Sequence, residues 1–203
     1  MLFRSPGQGL QTGAVYSVSP SPSLLFALMS TLSQRGGWCA AVGMPTLGLE
    51  AAASFGIDLS RLILVPEPGG RWLAVVSALA EVVPLIAVRP AARVQDADAA
   101  RLAARLRDRG CTVLTTAPWP QSEGMISLHD PHWEGLGDGW GLLSDRTVTV
   151  TAQTRSAPRP QSLRVRLPDG LGGVQTAPLE APRTRARGLQ PVLPGHLRWA
   201  EAS

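Results

Sequence analysis

Lysine is absent from all 203 residues, and so is asparagine. Every one of the 19 basic residues is therefore Arg. Abundant Ala, Gly, Pro and Arg without Lys is a codon signature of a GC-rich genome. It has one chemical consequence: no position can offer an ε-ammonium to a bound phosphate. Cysteine is scarce as well. Cys39 and Cys111 sit in short apolar runs, with no zinc-type spacing, and read as buried thiols packed as small hydrophobes. No apolar run approaches the roughly 20 residues of a membrane span. Met1 to Gly13 carry one Arg and no apolar core, so no signal peptide is expected. These absences point to a cytoplasmic protein that makes no membrane contact.

What is present fits one domain with a tail. Hydrophobic residues make up 44% of the chain, enough for a true core, and the net charge is a mild +4, much of it near the C-terminus. Short apolar runs alternate with helical periodicity. Strands are expected at Ala14–Val18, Trp38–Val42, Leu62–Val65, Leu85–Val88 and Cys111–Thr115, all reading as buried. Helices are expected between them, at Leu24–Gln34, Thr46–Phe55, Gly70–Val82 and Gln95–Arg109. The last has Asp96 and Asp98 in its first turn and Arg105, Arg107 and Arg109 near its end, matching the helix dipole. This alternation predicts an α/β fold: a mostly parallel central sheet with helices on both faces. Met125–Leu128, Thr147–Thr154 and Ser162–Leu167 read as strands without intervening helices, extending the sheet as antiparallel strands at its C-terminal edge. Residues 1–175 form the expected domain. From about Thr176 to Ser203 the chain is rich in Pro and Arg and reads as a flexible tail.

The segment Pro22–Thr115 resembles the RecA ATPase core. Its most specific part is LEAAASFGIDLSRLILVPEPGGRWLAVVSAL, where a helix, a Gly-Ile-Asp and a strand ending near Pro follow in the family's order. Within that superfamily the chain is most similar to the ImuA-type proteins of actinobacteria, and LLSDRTVTV and LRVRLPDG extend the likeness into the later strands. The resemblance implies a RecA-like fold and a role in SOS-induced mutagenic translesion synthesis. It implies an ImuB-like inactive Y-family polymerase as partner and, indirectly, an error-prone DnaE-type polymerase. A second copy of the chain, or RecA, is a further partner class.

An active member of the superfamily needs a Gly-rich loop ending in Lys-Ser/Thr, whose N–H groups wrap the phosphates. Here that place reads Ser19, Pro20, Ser21, Pro22 and Ser23. Two prolines remove two donors and stiffen the loop. The acidic residue that holds magnesium at the end of the fourth strand is replaced by Arg89. A positive charge about 4 Å from the metal costs several kcal/mol at an effective dielectric near 20. The Glu that activates water is replaced by Pro45, between Met44 and Thr46. The expectation is a non-enzyme that uses no cofactor and no metal.

Other residues carry weaker signals. His129-Asp130-Pro131-His132 brings two imidazoles together without a third ligand, and Pro131 reads as a turn. Trp119, Trp133 and Trp140 are either exposed partner anchors or core packing. Trp119 to Gly141 holds no Lys or Arg, so DNA contact there would lack its phosphate term and is expected to be weak or indirect. Arg183, Arg185, Arg187 and Arg198 either keep a tail soluble or belong to a docking segment. Leu189, Val192, Leu193, Leu197 and Trp199 would supply such a segment with apolar anchors. Arg101, Arg105 and Arg109 form a basic stripe that reads as a solvated helix face. Two other functions stay open: a SulA-like inhibitor that binds the tubulin-like division protein, and an NTPase with an unorthodox site.

Overall fold

A computed structural model describes residues 10–134, 145–157, 159–169 and 173–176. Five short strands are laid down first: β1 (Val15–Val18), β2 (Cys39–Val42), β3 (Leu62–Val65), β4 (Leu85–Val88) and β5 (Thr112–Thr115). Between them lie α1 (Pro22–Ser33), α2 (Leu49–Ser54), α3 (Trp72–Leu79) and α4 (Asp96–Arg109). Then β6 (Gly124–Glu134), β7 (Asp145–Thr154), β8 (Gln161–Arg166) and β9 (Gln175–Thr176) follow, with no helix among the described residues between them. All join one nine-stranded sheet in the order β3-β2-β4-β5-β1-β6-β7-β8-β9. Pairing is parallel from β3 through β6 and antiparallel from β6 to β9. The α/β class, the mostly parallel sheet and the antiparallel C-terminal edge are as the sequence led one to expect.

Side chains alternate across each strand, and the five parallel strands β1 to β5 feed two cores. Leu85 and Ala87 of β4 face one, with α1 and α2, while Ile86 and Val88 face the other, with α3 and α4. The first core continues under the antiparallel extension through Ile126, Val148, Val150, Ala152 and Val165. α4 starts after Gln95 and stops at Gly110, which takes the left-handed φ of +66° that glycine tolerates at a helix end.

Four expectations need correction. β3 is not buried: it is the sheet's outer strand, and Leu64 is 38% exposed, because sequence fixes an apolar run but not its rank in the sheet. α2 and α3 are shorter than their periodicity suggests. Gly48 caps α2 after a turn through Pro45, and Gly69–Arg71 forms a 3-10 turn before α3. The His129–His132 stretch is not a loop. It lies within β6 at a bulge, with Asp130 at φ +49°, so Pro131 sits where a strand can spare an N–H. The last described strand, β9, runs through Thr176. No helix among the described residues is long and apolar enough to cross a membrane.

Candidate functional site

Parallel strands β1, β2, β4 and β5 end at the same side of the sheet, and the crevice beyond their carboxyl ends is where open α/β sheets take ligands. A cavity of about 300 Å³ lies there. The turn after β1 contributes Pro20, Ser21 and Pro22, with Leu25 of α1 behind them. Met44, Thr46 and Leu47 come from the turn after β2, Arg89 and Pro90 from the end of β4, and Thr116 and Ala117 from the end of β5. Residues singled out from three distant parts of the sequence thus meet at one crevice. Pro45 itself is not in the wall; its neighbours Met44 and Thr46 are. None of the lining residues is a carboxylate.

The turn after β1 has its polar groups engaged by the chain itself. Only Ser19–Ser21 separate β1 from α1. A phosphate-wrapping loop spans several residues more. Ser19 N–H donates to the Ile126 carbonyl at 2.9 Å, and the Ser19 hydroxyl accepts from Leu128 N–H at 3.2 Å, tying the turn to β6. Ser21 caps α1, accepting from Leu24 N–H at 3.4 Å, with Pro22 in the first helical turn. The Ser21 and Ser23 hydroxyls lie 3.1 Å apart.

Arg146 of β7 completes this wiring, and sequence reasoning missed it. Its Nη2 donates to Ser23 Oγ at 2.6 Å and its Nε to the Leu167 carbonyl at 2.7 Å. Its guanidinium also lies 5.4 Å from the centre of the Trp133 ring, a cation–π distance. Burial pushes its pKa below the usual arginine value. Nothing local marks it, since its partner Ser23 is 123 residues away.

On the opposite wall, Arg89 N–H donates to the Val42 carbonyl at 2.9 Å, joining the ends of β2 and β4. Gly43 follows at φ +75°, pressed on the Arg89 carbonyl so that no Cβ fits. The Arg89 side chain is exposed and takes part in none of the ion pairs among the described residues. A larger, open cleft adjoins through Pro90 and Ala117 and reaches Arg93, Asp96 and Trp119.

The remaining sequence candidates are scattered. Trp119 is 7% exposed and packs edge-on against Trp72 at 6.2 Å, so its ring serves the second core and is no free anchor. Trp133 is 46% exposed. Trp140, Arg183, Arg185, Arg187, Leu193, Leu197, Arg198 and Trp199 lie outside the described residues. Arg101 pairs with Asp98, and Arg105 and Arg109 both reach Glu81, so the basic stripe of α4 is an exposed, ion-paired face. Cys39 and Cys111 are buried free thiols; burial pushes them up to about 11 and about 12. No cluster of three or more His, Cys, Asp or Glu capable of holding a metal occurs among the described residues.

Comparison with known proteins places the chain in a family. The model of the MT3502 N-terminal domain matches residues 4–121, which cover β1 through β5 and both walls of the crevice. The chain belongs to this family. A relative from Mycobacterium tuberculosis (strain ATCC 25618 / H37Rv), the uncharacterized protein Rv3395c, is 38% identical over 154 residues. That match spans 74% of this chain and 68% of the relative. Among solved structures, SulA from Pseudomonas aeruginosa aligns with a TM-score of 0.42 at 18% identity, over 50% of this chain and 93% of that one.

Proposed function

We propose that this MT3502-family chain is a non-catalytic, RecA-like accessory protein of damage-induced mutagenic DNA synthesis. In this reading it works by contacts with an ImuB-like inactive Y-family polymerase, and through it with an error-prone DnaE-type polymerase. The carrying observation is the crevice at the carboxyl ends of the parallel strands. Where a phosphate loop would stand, a three-residue turn is held shut by Ser19, Ser21 and Ser23 hydrogen bonds, and Arg89 occupies the facing wall. A triphosphate–magnesium complex needs free N–H donors, a Lys and a carboxylate. The chain has no Lys, and the lining offers no carboxylate. A fold kept without that chemistry suits a scaffold. The polymerase partner is inferred from the ImuA-type resemblance of the core and later strands.

Affinity capture of the tagged full chain after DNA damage tests the reading. Co-elution of an ImuB-like polymerase is the expected result, with loss of the complex when residues beyond 176 are removed. An intact complex after that truncation excludes the tail as docking element. Capture of the tubulin-like division protein, with filamentation on overexpression, would replace the polymerase role by a SulA-like one. ATP turnover by the purified chain would overturn the non-catalytic reading altogether.

A further inference from the structure

The antiparallel extension buries one face and leaves the other polar. Val148, Val150, Ala152 and Val165 point into the first core. The alternate residues form rows across three strands. Ser127, Thr151 and Ser162 stand opposite one another in β6, β7 and β8. His129, Thr149 and Arg164 form the next row, and His132, Thr147 and Arg166 the one after it. The bulge between His129 and His132 is what brings the second imidazole onto the same face. Two successive rows therefore carry the same order of imidazole, hydroxyl and guanidinium. Rows on one strand repeat about every 6.7 Å, and neighbouring strands lie about 4.8 Å apart.

Glu134 and Asp145 pair one row beyond His132 and Thr147, and over the other rows this face is short of anions. All four ion pairs among the described residues lie in the parallel half of the fold, and none involves Arg155, Arg159, Arg164 or Arg166. Arg155 and Arg159 are exposed at the β7–β8 connection. Asp130, in the bulge, is the one carboxylate among the described side chains of β6, β7 and β8. Arg166 Nε is buried and has no acceptor. The hydroxyls are oriented along and across the strands: Ser127 Oγ lies 2.8 Å from His129 Nε2 on β6, and Thr151 Oγ1 of β7 lies 2.8 Å from Ser162 Oγ of β8.

We propose that this face, built on Arg164, Arg166, His129, His132 and the hydroxyls of Ser127, Thr149, Thr151 and Ser162, binds single-stranded nucleic acid through its phosphates. Charge complementarity and composition choose the occupant. Arg and Ser/Thr are the usual donors to phosphate oxygens, and a sheet face with imidazoles lets unstacked bases lie flat. A protein partner would instead need apolar or aromatic anchors. Among the described residues, Met125, at the far end, is the one large apolar side chain exposed on this face. The cations absent from the Trp119–Gly141 segment are thus supplied one and two strands away, by β8 and the β7–β8 connection. The proposal goes beyond the scaffold role and needs no polymerase partner.

Fluorescence anisotropy of a labelled oligo-dT of about 20 nucleotides, titrated with the full chain at several salt concentrations, tests it. Two guanidinium–phosphate contacts account for about 1.4 of the log–log salt slope on a single strand. R164Q/R166Q should weaken binding by at least about tenfold and flatten the slope by about that amount. Ser162→Glu adds a carboxylate to the face at an exposed position and should weaken binding similarly. Arg101→Gln with Arg105→Gln, on α4, should leave it unchanged, and circular dichroism melts check that each variant is folded. Absence of binding by the unaltered chain, or equal loss in the α4 variant, overturns the proposal. Equal affinity for poly-glutamate with the same variant pattern overturns it in favour of an acidic protein partner.

Discussion

Removing the Arg146 guanidinium should loosen the turn that closes the crevice. Arg146 makes two charged hydrogen bonds, to Ser23 Oγ at 2.6 Å and to the Leu167 carbonyl at 2.7 Å. Hydrogen bonds to charged groups contribute about 1.5–3 kcal/mol each. The side chain is half-buried, so the lower part of that range applies, and Arg146→Ala should cost roughly 2–4 kcal/mol. For a domain of this size each kcal/mol moves Tm by about 2–4 °C, so the melt should fall by roughly 5–15 °C. Arg146→Lys keeps the charge but lacks the planar fork that spans both acceptors, and should recover less than half of the loss. A double-mutant cycle with Ser23→Ala isolates the link between β7 and α1, with an expected coupling of about 1–2 kcal/mol. Thermal denaturation followed by circular dichroism reads the parent and all four variants. A Tm for Arg146→Ala within about 1 °C of the parent, or a coupling near zero, would show that the turn is held by its own backbone and not from β7.

Three further outcomes follow from packing and titration. Gly43→Ala should be among the most damaging single changes, at more than about 2 kcal/mol, because it combines a positive φ with a Cβ driven into the Arg89 carbonyl; urea unfolding reads it. Trp119→Ala should cost about 3–5 kcal/mol through loss of its buried contact with Trp72; a change under about 1 kcal/mol in urea would return Trp119 to the surface. Cys39 and Cys111 should resist a thiol reagent at neutral pH until the chain unfolds. Because the folded thiols titrate near about 11 and about 12 against an ordinary 9.0, their neutral form favours the fold below pH 9. That contribution is lost as pH rises through the folded values, so stability should fall steadily above pH 9.

The parallel half was legible because its signals are local. AVYSV, WCAAV, LIAV and CTVLT are short apolar runs bounded by breakers, and α4 carries its own polarity and glycine stop. Strand order is not local, which is why LILV read as buried although β3 lies at the edge. His-Asp-Pro-His read as a turn because Pro131 removes an N–H; a strand at a bulge tolerates the same loss. The crevice was legible through the residues of its connecting turns, since the carboxyl ends of parallel strands must lie together. Arg146 was not, because its role depends on a partner 123 residues away in the sequence. The rows of β6, β7 and β8 needed the register, which no single strand discloses.

Restoring one element of nucleotide chemistry should not restore nucleotide binding. Arg89 stands at the end of β4, where a carboxylate would hold magnesium, so Arg89→Asp is the most direct repair. It removes a charge that repels the metal. It leaves the turn after β1 unchanged: Ser19–Ser21 are too few to wrap a triphosphate, and Ser19 and Ser21 are committed to Leu128 and Leu24. Arg89 is also the cation of the crevice wall, so its loss removes the one side chain there that attracts phosphate. The parent chain should therefore bind Mg-ATP no more tightly than ATP alone, since no lining carboxylate holds the metal. Arg89→Asp should bind both more weakly. Calorimetry with ATP in the presence and absence of magnesium separates these outcomes. A magnesium-dependent gain in affinity in either protein would mean that a metal seat exists in the crevice, and the scaffold reading would lose its foundation.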